Sequence, residues 1–181
     1  MGNNLTVFAN ATLAGGNYGK IRVFGSVEAF DDITAFSMTV FGSGNFTAKC
    51  VIDKLKLFGS CTFSDFVEAK EMNIKGSCKF NSDVKVDYLK VFGEANFNKN
   101  MFRSTEVRVY GDMKVNVLES DNIYIRGKIT CDNEINGDKI KIASYGGSVI
   151  KELLGTEIII KPKRRYFLFK VKKQRFHINF V

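Results

Sequence analysis

A short motif recurs ten times along this chain at an almost constant spacing, and nothing else in the sequence narrows the possible folds as much. The segments share an apolar-polar-apolar core: LTVFA from Leu5, IRVFG from Ile21, MTVFG from Met38, LKLFG from Leu55, MNIKG from Met72, LKVFG from Leu89, VRVYG from Val107, IYIRG from Ile123, IKIAS from Ile140 and IIIKP from Ile158. Successive starts lie 16, 17, 17, 17, 17, 18, 16, 17 and 18 residues apart. A phase kept over so many steps belongs to a repeat architecture.

Within each unit the first and third positions are apolar and the second is mostly polar, the two-residue period of a half-buried strand. Position five is glycine in seven of the ten units: Gly25, Gly42, Gly59, Gly76, Gly93, Gly111 and Gly127. A recurrent glycine there predicts a turn that exploits its tolerance of positive φ. Alternation resumes at positions seven and nine, as in Val27 and Ala29, Cys61 and Phe63, Cys78 and Phe80, Ala95 and Phe97, Met113 and Val115, and Ile129 and Cys131. A weaker third pair follows at thirteen and fifteen: Ile33 and Ala35, Cys50 and Ile52, Val67 and Ala69, Val84 and Val86. Three short strands per unit predict an all-β, single-stranded solenoid (a β-helix) of roughly nine to ten triangular coils.

One such coil is too small to bury a core alone, so coils must stack about 4.8 Å apart and share one along the axis. The 17 Phe and 16 Gly suit pleated strands and tight turns, and the lone proline suits strands that donate hydrogen bonds to a neighbour. That proline, Pro162, directly follows the last phased strand, which places the solenoid at 1–160 and a tail at 161–181. SYGG at 144–147 displaces the glycine of the ninth unit and predicts a distorted late coil.

The net charge of +8 invites a nucleic-acid reading until it is located. Residues 161–181 hold eight basic side chains (Lys161, Lys163, Arg164, Arg165, Lys170, Lys172, Lys173 and Arg175) and no acid. The whole chain has 27 basic and 19 acidic residues, so residues 1–160 carry equal numbers of each. A neutral body predicts no continuous positive face for a duplex, and nucleic acid is not an expected partner.

The basic, aromatic tail has three possible roles. It could cap the far end of the rod, with FLFKV (167–171) as an added strand. It could lie on an anionic membrane, with Lys163, Arg164, Arg165, Lys172 and Lys173 at the headgroups and Phe167, Phe169, Phe176 and Phe180 inserted. It could also be a run-on where the repeat was lost.

The opening MGNNLTVFANATLAGG has no basic n-region and no long apolar run, so neither a signal peptide nor a membrane span is expected. The expected location is the cytoplasm, with the membrane surface as a place of association. A loose myristoylation pattern and the sequons NLT, NAT and NFT are too short to argue from alone. Cys50, Cys61, Cys78 and Cys131 lack C-x-x-C pairing and His177 is the single histidine, so neither a metal nor another cofactor is expected. Cys61 and Cys78 share position seven of consecutive coils and should stack inside the rod as reduced thiols.

Two features bear on function. Position four carries Phe8, Phe24, Phe41, Phe58, Phe92 and Tyr110, an aromatic edge that strict alternation points outward, interrupted by Lys75 and Arg126. Either these rings fold over the corner and shield the next strand, or they form an exposed stripe that binds another rod or a partner. The second feature is the rod's first end, where the repeat begins at Leu5 with no amphipathic cap before it. An uncapped strand edge recruits further strands, and an end-to-end contact that does not close yields a filament. The candidate polymer interface is therefore Leu5, Val7 and Phe8 at one end and Ile158 and Ile160 at the other.

Units of the form K-V-F-G-x-A-x-F with a period near 17 resemble the bactofilins, most closely those of Gram-positive bacteria; LKLFGSCTF (55–63) and LKVFGEANF (89–97) carry the likeness, which covers about residues 5–160. The resemblance implies a right-handed, three-sided solenoid that polymerises without nucleotide, often near the membrane, as a scaffold for cell shape, envelope organisation or motility. It also implies partners among other bactofilin-like proteins. The chain departs from the family in lacking a visible disordered N-terminal tail, and again after Pro162.

Solenoid enzymes offer the main contrast. Hexapeptide-repeat acyltransferases would need a histidine base in a body coil, whereas His177 lies in the tail; polysaccharide lyases would need charges clustered on one face, whereas Asp31, Asp32, Asp65, Asp83 and Asp121 scatter over turns. The expectation is a non-enzymatic, cytoskeletal protein that assembles end to end with itself. The alternative is a monomeric scaffold presenting the aromatic edge or the basic tail to a membrane or a protein partner.

Overall fold

The computed structural model describes residues 2–143, 147–161 and 178–180, and for residues 102, 103 and 178–180 the backbone alone. These residues form strands and turns with no helix. The strands are β1 (Asn3–Val7), β2 (Ala11–Leu13), β3 (Gly16–Val23), β4 (Ser26–Ala29), β5 (Ile33–Val40), β6 (Ser43–Phe46), β7 (Cys50–Leu57), β8 (Ser60–Phe63), β9 (Val67–Ile74), β10 (Ser77–Phe80), β11 (Val84–Val91), β12 (Glu94–Val109), β13 (Asp112–Ile125), β14 (Lys128–Ile142), β15 (Val149–Ile160) and β16 (Ile178–Phe180).

Every ladder is parallel and joins a residue to the one a single repeat away. Leu5, Ile21, Met38, Leu55, Met72, Leu89, Val107, Ile123, Ile140 and Ile158 pair in succession, so the aligned motifs form one file along a solenoid of about nine turns. Val23, Val40, Leu57, Ile74 and Val91 form the next interior file, each 0% exposed. On the second face the rings of Phe46, Phe63, Phe80 and Phe97 stack at 4.7, 5.1 and 4.7 Å in the core. Cys61 and Cys78 are buried register partners beside them, and all four cysteines are free thiols. On the third face, Ile33, Cys50, Val67 and Val84 are stacked and buried.

The glycine corner has a different cause from the one the repeat suggests. Among the described residues positive φ occurs only at Gly16 (140°) and Gly147 (74°), not at position five. A β-carbon on Gly42, Gly59, Gly76, Gly93, Gly111 or Gly127 would instead overlap the carbonyl oxygen of the corresponding glycine one coil below. Close backbone approach, rather than a left-handed turn, selects glycine there.

Coils that depart from 17 residues absorb the difference as register shifts. Val84 pairs with Met101 but Tyr88 with Glu106, an extra residue accommodated in the bend between Met101 and Glu106. The later strands β12 to β15 run unbroken around corners where the earlier coils break into separate strands. Residues 144–146 of the SYGG segment lie outside the described residues, and Gly147 turns the chain in the left-handed region. Just beyond it the buried Ser148 hydroxyl accepts the Ile129 N–H at 3.1 Å.

The tail segment Ile178–Phe180 adds a parallel strand to β15, pairing Ile158 with Ile178 and Ile160 with Phe180. FLFKV lies outside the described residues, as do Lys163, Arg164, Arg165, Phe167, Phe169, Lys172 and Lys173.

Candidate interaction surfaces

The position-four aromatics lie at the corner between the first and second faces, each immediately before a glycine except Phe8, which precedes Ala9, and the corner itself fixes their arrangement. The Phe41 N–H donates to the Val23 carbonyl and the Phe58 N–H to the Val40 carbonyl, each at 2.8 Å, extending the ladder around the bend. Because the glycine backbones then touch coil to coil, the rings are held at the coil spacing. Phe8, Phe24, Phe41 and Phe58 stack face to face with centroids 5.3, 5.0 and 4.9 Å apart. Lys75 fills the break, its ammonium 5.2 Å from the Phe58 centroid and 5.8 Å from that of Phe92. Phe92 and Tyr110 continue the stack at 4.8 Å.

The rings do not fold over the corner. They remain exposed, from 38% at Tyr110 to 77% at Phe8, and form the stripe that was one of the two readings of the sequence. Their mutual stacking covers most ring faces, so the stripe presents ring edges to its surroundings. The outer face of Phe8, at the end of the row, has no ring partner among the described residues.

Sequence reasoning missed the row beside them. Position two of each motif points outward on the first face, and pairing aligns Thr6, Arg22, Thr39, Lys56, Asn73, Lys90, Arg108, Tyr124, Lys141 and Ile159 in one file. The corner row adds Lys75, Arg126 and Lys161. Neither row contains a carboxylate, although the body is neutral in sum. The balancing acids occupy other rows and pair there, one coil apart, as in Lys54–Glu71 at 3.5 Å, Lys70–Asp53 at 3.1 Å, Lys85–Glu68 at 2.7 Å and Lys139–Glu157 at 3.2 Å. Arg108 is held by Glu106 at 2.8 Å and lies over the Tyr124 ring. Among the described residues no ion pair engages Arg22, Lys56, Lys90 or Lys141. The signal was present in the motif column itself, in IRVFG, LKLFG, LKVFG and IKIAS.

The candidate end residues have distinct environments. At the first end Val7 is buried, Leu5, Ala11 and Tyr18 are only partly buried against the core, and Phe8 is exposed. At the far end Ile158 and Ile160 are interior, and their outer backbone edge is paired with β16.

The remaining surface offers little concentrated chemistry. A shallow depression along the second face is lined mainly by hydroxyl and amide side chains, among them Ser43, Asn45, Ser60, Thr62, Ser77 and Asn96. Among the described residues no three His, Cys, Asp or Glu side chains gather as metal ligands, and no helix is long and apolar enough to cross a membrane. Burial, reinforced by Asp32 and Asp65, pushes the Cys50 thiol up to about 12, and burial pushes Cys131 up to about 11. A hydrogen bond to Cys78, together with burial, holds Cys61 above the ordinary thiol range. Comparison with protein-family models, curated proteins and solved structures finds no match for this chain.

Proposed function

We propose that this protein is a structural, self-associating rod that joins end to end into filaments, in the manner of the bactofilins its repeat resembles, and that it acts without catalysis. The observation that carries this reading is the state of the first end. There the core file that is sealed from Ile21 onward is only half covered at Leu5, and the outer backbone edge of β1 has no partner among the described residues. A half-covered apolar core beside an unpaired strand edge is the combination that recruits another strand. The uniform cross-section supports the reading, because a rod whose end repeats its interior can continue into a second copy at small steric cost.

The exposed aromatic stripe favours a second reading, a single rod that displays this edge to a partner. Negative-stain microscopy of the purified chain, with and without residues 161–181, separates the two. Unbranched filaments are expected; discrete short rods at every salt concentration would overturn assembly and leave the display reading.

A further inference from the structure

We infer that the aromatic corner and the basic row beside it form a membrane-docking ridge that seats the rod lengthwise on an anionic phospholipid surface. This is independent of whether rods join end to end.

Geometry and charge select that occupant. The ridge from Phe8 to Tyr110 crosses seven coils, about 29 Å at the coil spacing. It is a convex corner, which offers a small molecule no enclosure but fits a flat, deformable layer. The stacked rings leave edges outward, so bases of a single-stranded nucleic acid or the faces of sugar rings find few free aromatic faces on which to stack. Ring edges can still sink among acyl chains at the headgroup boundary. Arg22, Lys56, Lys75, Lys90, Arg126 and Lys141 lie along the same strip and would meet the phosphates, with no carboxylate in either row to oppose them. Glu94 and Asp112 lie two residues past the corner, on the flank facing away from the basic row. Glu71, Glu106 and Glu157 flank the basic row on its other side, and each is already paired, with Lys54, Arg108 and Lys139 respectively.

The chain contains no tryptophan, so Phe41→Trp installs a single fluorescent reporter in the ridge, and Thr62→Trp a control on the second face. With vesicles of phosphatidylcholine and phosphatidylglycerol, the emission of Phe41→Trp is expected to shift to the blue and that of Thr62→Trp to stay unchanged. Pure phosphatidylcholine should give a much smaller shift. In co-sedimentation with the anionic vesicles, the full-length triple variant Lys56→Gln/Lys90→Gln/Arg126→Gln should bind on the order of a hundredfold more weakly. These side chains are outside the core, and an unchanged circular dichroism spectrum would confirm that the variant is folded. No blue shift at position 41, or wild-type binding by the folded triple variant, would overturn the inference; the second result would assign binding to the tail or another surface.

Discussion

The carbonyl oxygen of Gly42 occupies the space in which a β-carbon on Gly59 would sit. The relationship repeats along the corner from Gly25 to Gly127 and explains two features together. It excludes side chains at position five, and it holds position four at the coil spacing, so that Phe41 and Phe58 stack at 4.9 Å.

Gly59→Ala should therefore cost about 3 kcal/mol, the upper part of the range for overpacking, because the obstacle is backbone. Ser60→Ala, at the neighbouring exposed position, should stay within about 0.5 kcal/mol of wild type. Thermal or denaturant unfolding measures both. A Gly59→Ala protein as stable as the parent would show that the corner is not closed by backbone contact.

The two phenylalanine ladders should respond differently to truncation. Phe63 is fully buried between Phe46 and Phe80, and Phe63→Ala should cost about 3–5 kcal/mol. Phe41 has the same stacking outside the core, and Phe41→Ala should cost about 0.5–1.5 kcal/mol. Equal losses in urea unfolding would contradict the assignment of one ladder to the core and the other to the surface.

Excision of one whole repeat should be tolerated. Deleting residues 60–76 joins Gly59 to Ser77, which already pairs in register with Ser60, and every interior file survives one member shorter. The expected product is folded, with a far-ultraviolet spectrum per residue like that of the parent. Deleting 60–68 instead puts the following strands on the wrong faces and should abolish cooperative unfolding. A folded half-repeat deletion would disprove the register argument.

Alkaline pH should destabilise the rod through its buried thiols. Folding raises Cys50 from 9.0 to about 12 and Cys131 from 9.0 to about 11, so the folded state favours their neutral forms. Their contribution is whole below pH 9 and is lost as pH rises toward 11 to 12, where the unfolded chain releases protons that the folded chain retains. Cys50→Val/Cys131→Val keeps both files apolar and should show a smaller fall in melting temperature between pH 8 and 10.5 than the parent. An identical fall in both proteins would rule out the thiols as its source.

Alternation between neighbouring residues and recurrence at 17 were enough to identify the interior. Val23, Val40 and Leu57 could be placed inside because a strand admits only two sides and an apolar residue on the core side must meet its equivalent in the next coil. The same logic located Cys61 over Cys78 and Phe63 over Phe80. Relations between rows on the outer surface could not be obtained from counts along the chain. A body with equal numbers of acids and bases looks neutral, yet stacking collects Arg22, Lys56 and Lys90 in one row and places Glu68 and Glu71 in others.

The reason for the glycines also lay in the third dimension, since the atom that excludes a β-carbon from Gly59 belongs to a residue 17 positions earlier. Likewise, the strand that covers Ile158 is Ile178–Phe180, after a break in the repeat that removed the periodic signal. Local alternation thus determined what the chain buries, because burial depends on the side of the strand a residue occupies. Only the stacked coils decided which outward residues become neighbours, because that depends on contacts between residues a full turn apart.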